Sequence, residues 1–224
     1  MSEKLAVLIP AYNASGTISD LVKKLSGQIP VQNVIIVNDG SADSTGELAS
    51  KTGATVLEHK VNRGKGEALK TGFAYALAQG FDYVVTMDAD LQHRPEELSG
   101  FIRKIDSDSI GILVGTRSFG FKNMPFDRVL TNFTTSVILS FLSGQTIKDS
   151  QSGYRSISCQ ILKDIKLKSR RYDLESEILI KAGRRGYSIG QVPISTVYAG
   201  SRSFINPIVD TGRFIRICWK SLFW

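Results

Sequence analysis

Residues 83–93 of the chain read Tyr83-Val84-Val85-Thr86-Met87-Asp88-Ala89-Asp90-Leu91-Gln92-His93. The apolar first half predicts a buried strand, and Pro95-Glu96-Glu97-Leu98, which follows at once, predicts the start of a helix. The two carboxylates at the strand end lie near each other, and hard oxygen ligands of this kind suit Mg²⁺ or Mn²⁺ that bridges a diphosphate. A polar turn capped by an aspartate is the alternative for this triplet alone.

The rest of the chain alternates apolar strands with helical patterns. Strands are predicted at 4–9, 34–37, 54–57, 83–87, 111–115 and 188–194, and helices at 16–26, 43–50, 66–78, 125–142 and 172–184. Such alternation with short links predicts a largely parallel sheet with helices on both faces. An apolar content of 42% in 224 residues supports one core, and no linker divides the chain.

The predicted helix at 125–142 is strongly apolar. Its apolar residues follow helical spacing: Phe126, Val129, Leu130, Phe133, Val137 and Phe141. Such a stripe is more typical of a helix that packs in the core than of one that touches a membrane, so core packing is the prediction.

The net charge of +7 lies entirely in the C-terminal third of the chain. Residues 1–160 carry 16 basic and 16 acidic side chains, whereas residues 161–224 carry 12 and 5. This asymmetry predicts an anionic partner, either a membrane surface or a phosphate-bearing substrate. Nucleic acid is disfavoured, because the chain has no recognised binding motif and no dense interleaving of aromatic and basic residues.

The N-terminus and the cysteines favour a cytoplasmic protein. Met1-Ser2-Glu3-Lys4 runs directly into a strand pattern without the features of a signal peptide. Cys159 and Cys218 lack the spacing of metal ligands, and a reduced setting fits them best. The sequence has no run of 18 apolar residues, so no membrane span is predicted.

Polar clusters follow four consecutive predicted strands. They are Pro10-Ala11-Tyr12-Asn13, Asn38-Asp39-Gly40-Ser41, Asn62-Arg63-Gly64-Lys65-Gly66 and Asp88-Ala89-Asp90. Open parallel sheets bind ligands beyond the carboxyl ends of their strands, so the four clusters predict one crevice. The sequence has no P-loop, and Gly64-Lys65-Gly66 lacks the third glycine of the dinucleotide fingerprint, which disfavours a simple NTPase and an NAD enzyme.

As a set, these motifs with Asp88–His93 resemble glycosyltransferase family 2. Gly115-Thr116-Arg117 and Asp149-Ser150-Gln151-Ser152-Gly153-Tyr154-Arg155 resemble its dolichol-phosphate mannosyltransferase and polyprenyl-phosphate glycosyltransferase branch. The resemblance covers almost the whole chain. It implies a GT-A domain at residues 1–206, with a Rossmann-like, mostly parallel sheet and helices on both faces.

The resemblance also implies which residues bind the nucleotide-sugar donor and the metal. Donor binding would involve Pro10, Tyr12, Asn13, Asp39, Lys65, Asp88, Ala89 and Gln92. Asp90 and Gln92 would hold Mg²⁺ or Mn²⁺ on the diphosphate, and Asp90 would be catalytic through that ion. His93 would lie next to the metal or serve in packing.

For the acceptor, the resemblance implies contacts of Arg117, Arg128 and Asn132 with a phosphate. Glu175 and Glu177 match an acidic pair on a late helix, with ordinary helix-surface charge as the alternative. The branch commonly carries Arg-x-x-Gly-x-Ser-Lys, but Tyr198 and Phe204 stand at its first and last positions here. This departure leaves the sugar and the acceptor open.

Residues 207–224 predict an amphipathic C-terminal helix. Arg213, Arg216 and Lys220 share one face, and Ile208, Ile215, Trp219 and Leu222 share another. With Trp219, Phe223 and Trp224, this pattern is typical of a helix at a membrane interface. A helix that docks on the protein's own core is the alternative.

Together with these features, the resemblance implies a metal-dependent glycosyltransferase that inverts the anomeric carbon and lies peripherally on the cytoplasmic face of an anionic membrane. It would move a sugar from GDP-mannose or a UDP-sugar to a polyprenyl phosphate, dolichyl or undecaprenyl. One alternative is a family 2 enzyme with a saccharide acceptor, which would need Glu175, Glu177 or Asp149 as a base. The other is a non-catalytic, membrane-associated protein that binds nucleotide sugars, for which intact Asp88, Asp90 and Gln92 would have no purpose.

Overall fold

The computed structural model describes residues 4–108, 110–117, 126–171, 173–195, 207–221 and 223–224. The strands in these residues are β1 (Leu5–Ala11), β2 (Val34–Asn38), β3 (Thr55–Glu58), β4 (Tyr83–Thr86), β5 (Ile112–Arg117), β6 (Arg155–Ser158) and β7 (Ile189–Ile194). The helices are α1 (Ile18–Leu25), α2 (Thr45–Ser50), α3 (Lys65–Ala78), α4 (Leu98–Asp108), α5 (Phe126–Ser143), α6 (Cys159–Asp164), α7 (Asp173–Arg184) and α8 (Pro207–Ser221).

The strands form one sheet in the order β3-β2-β1-β4-β6-β5-β7. β6 is antiparallel to both of its neighbours, and the other neighbouring pairs are parallel. Alternate strand residues enter two cores, with Leu8 and Val84 on one face of the sheet and Ile9 and Val85 on the other. The predicted mostly parallel sheet with both faces covered is therefore confirmed.

The sequence patterns do not predict β6 and α6. The β6 sequence Arg-Ser-Ile-Ser holds a single apolar residue, so it lacks the apolar run that marks the other central strands. It is nevertheless buried, because Arg155 donates hydrogen bonds to backbone carbonyls and β6 pairs on both edges. Tertiary pairing, not local propensity, forms this strand.

Helix α5 faces the opposite way from the prediction. Four of the expected core residues, Leu130, Phe133, Val137 and Phe141, lie at the surface, with Phe133 67% and Phe141 87% exposed, while Asn132 and Ser136 are buried. Ser136 Oγ accepts a hydrogen bond from the Ser150 amide at 2.9 Å. The spacing of the stripe is correct and core packing is wrong, because hydroxyl and amide groups on the other face bond to the segment that follows α5.

Helix α8 packs on α7 and leaves aromatic residues outside. Ile217 and Ser221 are buried, whereas Ile215 and Trp219 are exposed. Arg184 at the end of α7 donates to the carbonyls of Leu142 and Ser221, the last turns of α5 and α8. Within the described residues, no helix has both the length and the apolar character needed to cross a bilayer.

Candidate active site

The loops after β1 and β2 are joined by Asn13. Its backbone N–H donates to Ser41 Oγ at 3.0 Å, and its side-chain Oδ1 accepts from the backbone N–H of Ala42 at 2.9 Å. Asn13 adopts a φ of 51°, a left-handed conformation that asparagine tolerates better than most residues. Beside this junction, at the carboxyl end of β1, the ring of Tyr12 is exposed and Pro10 is half-buried.

Asp39 anchors the loop between β3 and α3. Its Oδ1 accepts from His59 Nδ1 at 2.6 Å and from the Arg63 amide at 2.9 Å, and its Oδ2 accepts from the Gly64 amide at 2.7 Å. His59 Nε2 lies 3.0 Å from Thr71 Oγ1 on α3. No sequence motif predicts that His59 takes part in the site. Its position directly after β3 is the one feature of the sequence that indicates such a role.

The acidic loop after β4 turns sharply at Leu91, which has a φ of 59°. This turn lets the Gln92 amide donate to Asp90 Oδ1 at 3.0 Å, and Thr17 Oγ1 holds the Ala89 carbonyl at 2.5 Å. Asp90 is exposed as a residue, but the surrounding protein partly desolvates its carboxyl, and this desolvation together with the neighbouring Asp88 raises the pKa of Asp90. The loop thus presents one accessible carboxylate next to another.

His93 is buried behind this loop. Its ring centroid lies 5.5 Å from that of Tyr154, and burial lowers the pKa of the imidazole. Its Nδ1 is one of the buried polar atoms that lack a hydrogen-bond partner in the described part of the chain. The packing role proposed for His93 fits these contacts.

Lys65 connects the acidic loop to helix α7. Its Nζ lies 2.6 Å from Asp88 Oδ1 and 3.3 Å from Glu175 Oε1. Although burial opposes it, the Lys65 ammonium lowers the pKa of Asp88. Glu177, the other member of the predicted acidic pair, is buried away from this cluster in an ion pair with Lys181.

Gly153 closes this cluster from the side of β6. A Cβ atom at Gly153 would lie 2.5 Å from Asp88 Oδ2 and 3.1 Å from Lys65 Nζ. A methyl group at this position would force the ends of the Asp88 and Lys65 side chains to shift, so glycine lets the chain pass close to both of them.

A second cluster forms around Asp149, which is fully buried. Arg117 Nε donates to Asp149 Oδ2 at 2.7 Å and its Nη2 to Oδ1 at 2.8 Å, while Asn132 Nδ2 donates to Oδ1 at 2.9 Å. Burial raises the pKa of Asp149, but the bonds from Arg117 outweigh it and the net pKa is lowered. The carboxylate therefore stays ionised and fixes the plane of the guanidinium.

Several parts of the prediction lie outside the described residues. Arg128 stands in α5 one turn before Asn132, but its side chain is outside them, as are the side chains of Phe126, Ile208 and Arg213 and residues 198–204 and 222. The structure thus brings Asp88, Lys65 and Glu175 into one cluster and joins Arg117 to Asn132 through Asp149.

The acidic loop fits a hard divalent cation. Among the described residues, no three His, Cys, Asp or Glu side chains surround one point. A metal held by Asp90 would therefore take most of its ligands from phosphate oxygens and water, as Mg²⁺ commonly does in nucleotide sites. Carboxylate and amide oxygens from Asp90 and Gln92 suit that ion or Mn²⁺.

The sheet order, with mostly parallel strands and helices on both faces, is that of a GT-A glycosyltransferase domain. Residues 6–167 match the model for glycosyl transferase family 2, and the chain belongs to this family. It is an enzyme of the glycosyltransferase class.

Relatives cover most of the chain. It is 36% identical over 221 residues to the UDP-N-acetylglucosamine–dolichyl-phosphate N-acetylglucosaminyltransferase of Methanococcus voltae, covering 88% of each protein. It is 30% identical over 206 residues to the polyprenol monophosphomannose synthase of Mycolicibacterium smegmatis, covering 87% of this chain and 77% of that one.

A solved structure shares the fold. The glucosyl-3-phosphoglycerate synthase of Mycobacterium tuberculosis, in complex with Mn²⁺, UDP and glucosyl-3-phosphoglycerate, superposes with a TM-score of 0.75 and 23% identity. The match covers 98% of this chain and 78% of that one. At this identity the similarity establishes the fold.

Replacement of Gly153 by alanine tests how closely the main chain at this position packs against the Asp88 and Lys65 side chains. The methyl group should displace Asp88 and Lys65, so we expect glycosyl transfer to fall by about 100-fold, as for a misplacement of roughly 1 Å. Gly27→Ala is the matched control, because a Cβ there meets its nearest atom at 3.7 Å. Steady-state rates, normalised to folded protein by circular dichroism, decide the outcome, and equal rates for both variants would contradict this geometry.

Proposed function

We propose that the protein is a metal-dependent, inverting glycosyltransferase that moves a sugar from a nucleotide-diphosphate sugar to a polyprenyl phosphate. The observation that carries the proposal is the pair of clusters on one sheet edge. An acidic, lysine-containing cluster suits a metal-bound diphosphate, and the Arg117 guanidinium, held by Asp149, suits a second phosphate. The names of the Methanococcus voltae and Mycolicibacterium smegmatis relatives support the polyprenyl-phosphate class.

Donor binding would begin at the rim formed by Pro10, Tyr12 and Asn13, with Asp39 holding the loop that leads to Lys65. Asp88 and Ala89 would lie next to the ribose. Asp90 and Gln92 would hold Mg²⁺ or Mn²⁺, which neutralises the leaving diphosphate when bound. The nucleobase would be uracil or guanine, as in a UDP-sugar or GDP-mannose.

The acceptor phosphate is already anionic at pH 7, so transfer needs no strong general base. Arg117, Arg128 and Asn132 would position it for attack on the anomeric carbon. The fork between Arg117 and Asp149 supports this role, because a guanidinium of fixed plane loses less entropy when it binds phosphate. Inversion follows from a single displacement.

The carboxylates that a saccharide acceptor would need as a base are engaged otherwise. Glu177 accepts from Lys181 and from the Ser169 amide at 2.7 Å, and although burial opposes it, these bonds lower its pKa. Asp149 is bound by Arg117, and Glu175 lies beside Lys65. These pairings favour an acceptor that is ionised before it binds.

Two exposed apolar helix faces support contact with a membrane. The face on α5 comprises Leu130, Phe133, Val137 and Phe141. The face on α8 and the residues just after it comprises Ile215, Trp219 and Phe223. Arg184 joins the last turns of both helices, so the helices end close together, and Arg216 and Lys220 are also exposed. We propose that residues 207–224 form an interfacial helix beside a GT-A domain at 1–206, peripheral on the cytoplasmic face of an anionic membrane.

Loss of the Asp90 carboxylate should remove metal-dependent transfer. A thermal-shift panel of UDP- and GDP-sugars with and without Mn²⁺ first identifies the donor. With that donor at saturation, Asp90→Ala should lower kcat by about 10³-fold, equivalent to about 4 kcal/mol of transition-state stabilisation. Asp106→Ala, an exposed aspartate on α4, is the control. Activity of Asp90→Ala within tenfold of wild type would exclude the metal role.

Arg117 should act on the acceptor and not on the donor. Arg117→Lys keeps the charge but loses the fork, and Arg128→Ala removes a second cation. We expect each to lower transfer at limiting lipid phosphate by about 10- to 100-fold, since charged hydrogen bonds contribute about 1.5–3 kcal/mol. Donor affinity, measured by calorimetry, should change less than about threefold. Arg103→Lys, on the surface of α4, is the control, and a loss of donor affinity with unchanged acceptor saturation would reverse the assignment.

Membrane binding should depend on both apolar faces. Phe133→Ser/Phe141→Ser and Trp219→Ser/Phe223→Ser should each reduce co-sedimentation with anionic liposomes, since each buried aromatic contributes about 1.5–3 kcal/mol. Salt should weaken the membrane binding that these variants retain. Each basic residue near an anionic surface contributes about 1 kcal/mol, and salt screens this attraction. Val61→Ser, an exposed valine elsewhere, is the control. Absence of wild-type sedimentation at low salt would favour the saccharide acceptor.

A further inference from the structure

Arg155, the first residue of β6, is a buried cation with 2% of its surface exposed. Its Nε donates to the Ser152 carbonyl at 2.7 Å, its Nη2 to the Ser150 carbonyl at 2.6 Å and its Nη1 to the Glu175 carbonyl at 2.8 Å. All three partners are neutral backbone groups. The guanidinium therefore acts on the position of the main chain.

Burial of this charge is costly, and its surroundings offset part of the cost. Burial lowers the pKa of Arg155, while the nearby carboxylates of Glu175, Asp149 and Asp88 oppose that shift. These are the acidic groups of both clusters in the site. Arg155 lies between these carboxylates and is too deeply buried to contact a substrate. Its position therefore suggests that it places the side chains of the two clusters.

The carbonyl partners belong to the two segments that carry the clusters. Ser150 and Ser152 lie in the segment that begins with Asp149, which holds Arg117, and that ends with Gly153 against Asp88. The third partner is the carbonyl of Glu175 in the first turn of α7, whose carboxylate lies 3.3 Å from Lys65 Nζ. One planar guanidinium thus sets the distance between these segments.

We propose that Arg155 is a positioning residue that fixes the spacing between the Lys65–Asp88–Glu175 cluster and the Arg117–Asp149–Asn132 cluster. The inference rests on the proposed function in that these clusters hold the donor and the acceptor. Lysine cannot replace arginine here, because one ammonium group does not reproduce three donors in a fixed plane. Transfer between two bound substrates depends on their separation, and an error of about 1 Å costs about 100-fold in rate.

The first arm of the test needs no substrate. Hydrogen exchange is compared for wild type, Arg155→Lys and Arg155→Met, and we expect faster exchange in residues 147–155 and 173–177 of both variants. Exchange in β2, three strands away from β6, should stay unchanged. Unchanged exchange in both segments, or a uniform increase throughout the chain, would overturn the proposal.

The second arm separates positioning from stability. With undecaprenyl phosphate and whichever of UDP-N-acetylglucosamine or GDP-mannose the wild type accepts, Arg155→Lys should lower kcat by about 100-fold. Both KM values should stay within about threefold of the wild-type values, because each cluster moves as a unit. Ile105→Ala, which removes a buried apolar side chain on α4, should lower thermal stability and leave kcat per folded molecule unaltered.

The outcomes are distinct for the inference and for the proposed function. A normal kcat in Arg155→Lys, or failure of both Arg155 variants to fold, would assign the residue to stability alone and overturn the inference. Wild-type transfer to a saccharide and not to undecaprenyl phosphate would reject the lipid acceptor, and the kcat comparison is then made with that saccharide. If the wild type transfers to neither, the exchange arm decides the inference.

Discussion

The antiparallel pairing of β6 with β4 is the constraint on which the site depends. Thr86 and Arg155 are partners in this register, so β6 begins where β4 ends. The segment before β6 therefore reaches the same sheet edge as the loops that follow the parallel strands, and Thr86 Oγ1 donates to the Gly153 carbonyl at 2.8 Å. With β6 parallel, that segment would lie at the opposite edge, and Asp149 would be far from Asp88.

Opposite charges alternate through the site, with one exception. Lys65 stabilises the ionised form of Asp88, and Arg117 stabilises that of Asp149, so the pKa values of both carboxyls are lowered although burial acts against it. Asp90 differs, because burial and the neighbouring Asp88 raise its pKa. An added cation would lower the free energy of ionised Asp90 more than that of the paired carboxylates, which agrees with the proposed place of the metal.

Apolar runs predict the parallel strands, and strand-end motifs identify the loops that meet beyond them, because both are local in sequence. The patterns fail where long-range hydrogen bonds decide. β6 is held by the buried Arg155, and the bonds of Asp39 to His59 and of Asp149 to Asn132 join residues 20 and 17 positions apart. Periodicity locates the stripe on α5, but the polar partners of Ser136 decide which face turns inward.

Helix α5 turns polar side chains towards the protein and apolar side chains outward, so the strength of its packing depends on whether water or hydrocarbon lies against its outer face. Leu139 and Leu142 pack in the core, but the rest of the inner face is held by hydroxyl and amide bonds, such as those from Ser136 and Thr135 to Ser150 and from Asn132 to Asp149. Water competes for such bonds, and they strengthen when the surrounding dielectric constant falls. Hydrocarbon against the outer face would exclude that competitor, so a bilayer that dissolves the proposed polyprenyl acceptor would also stiffen the helix that carries Asn132.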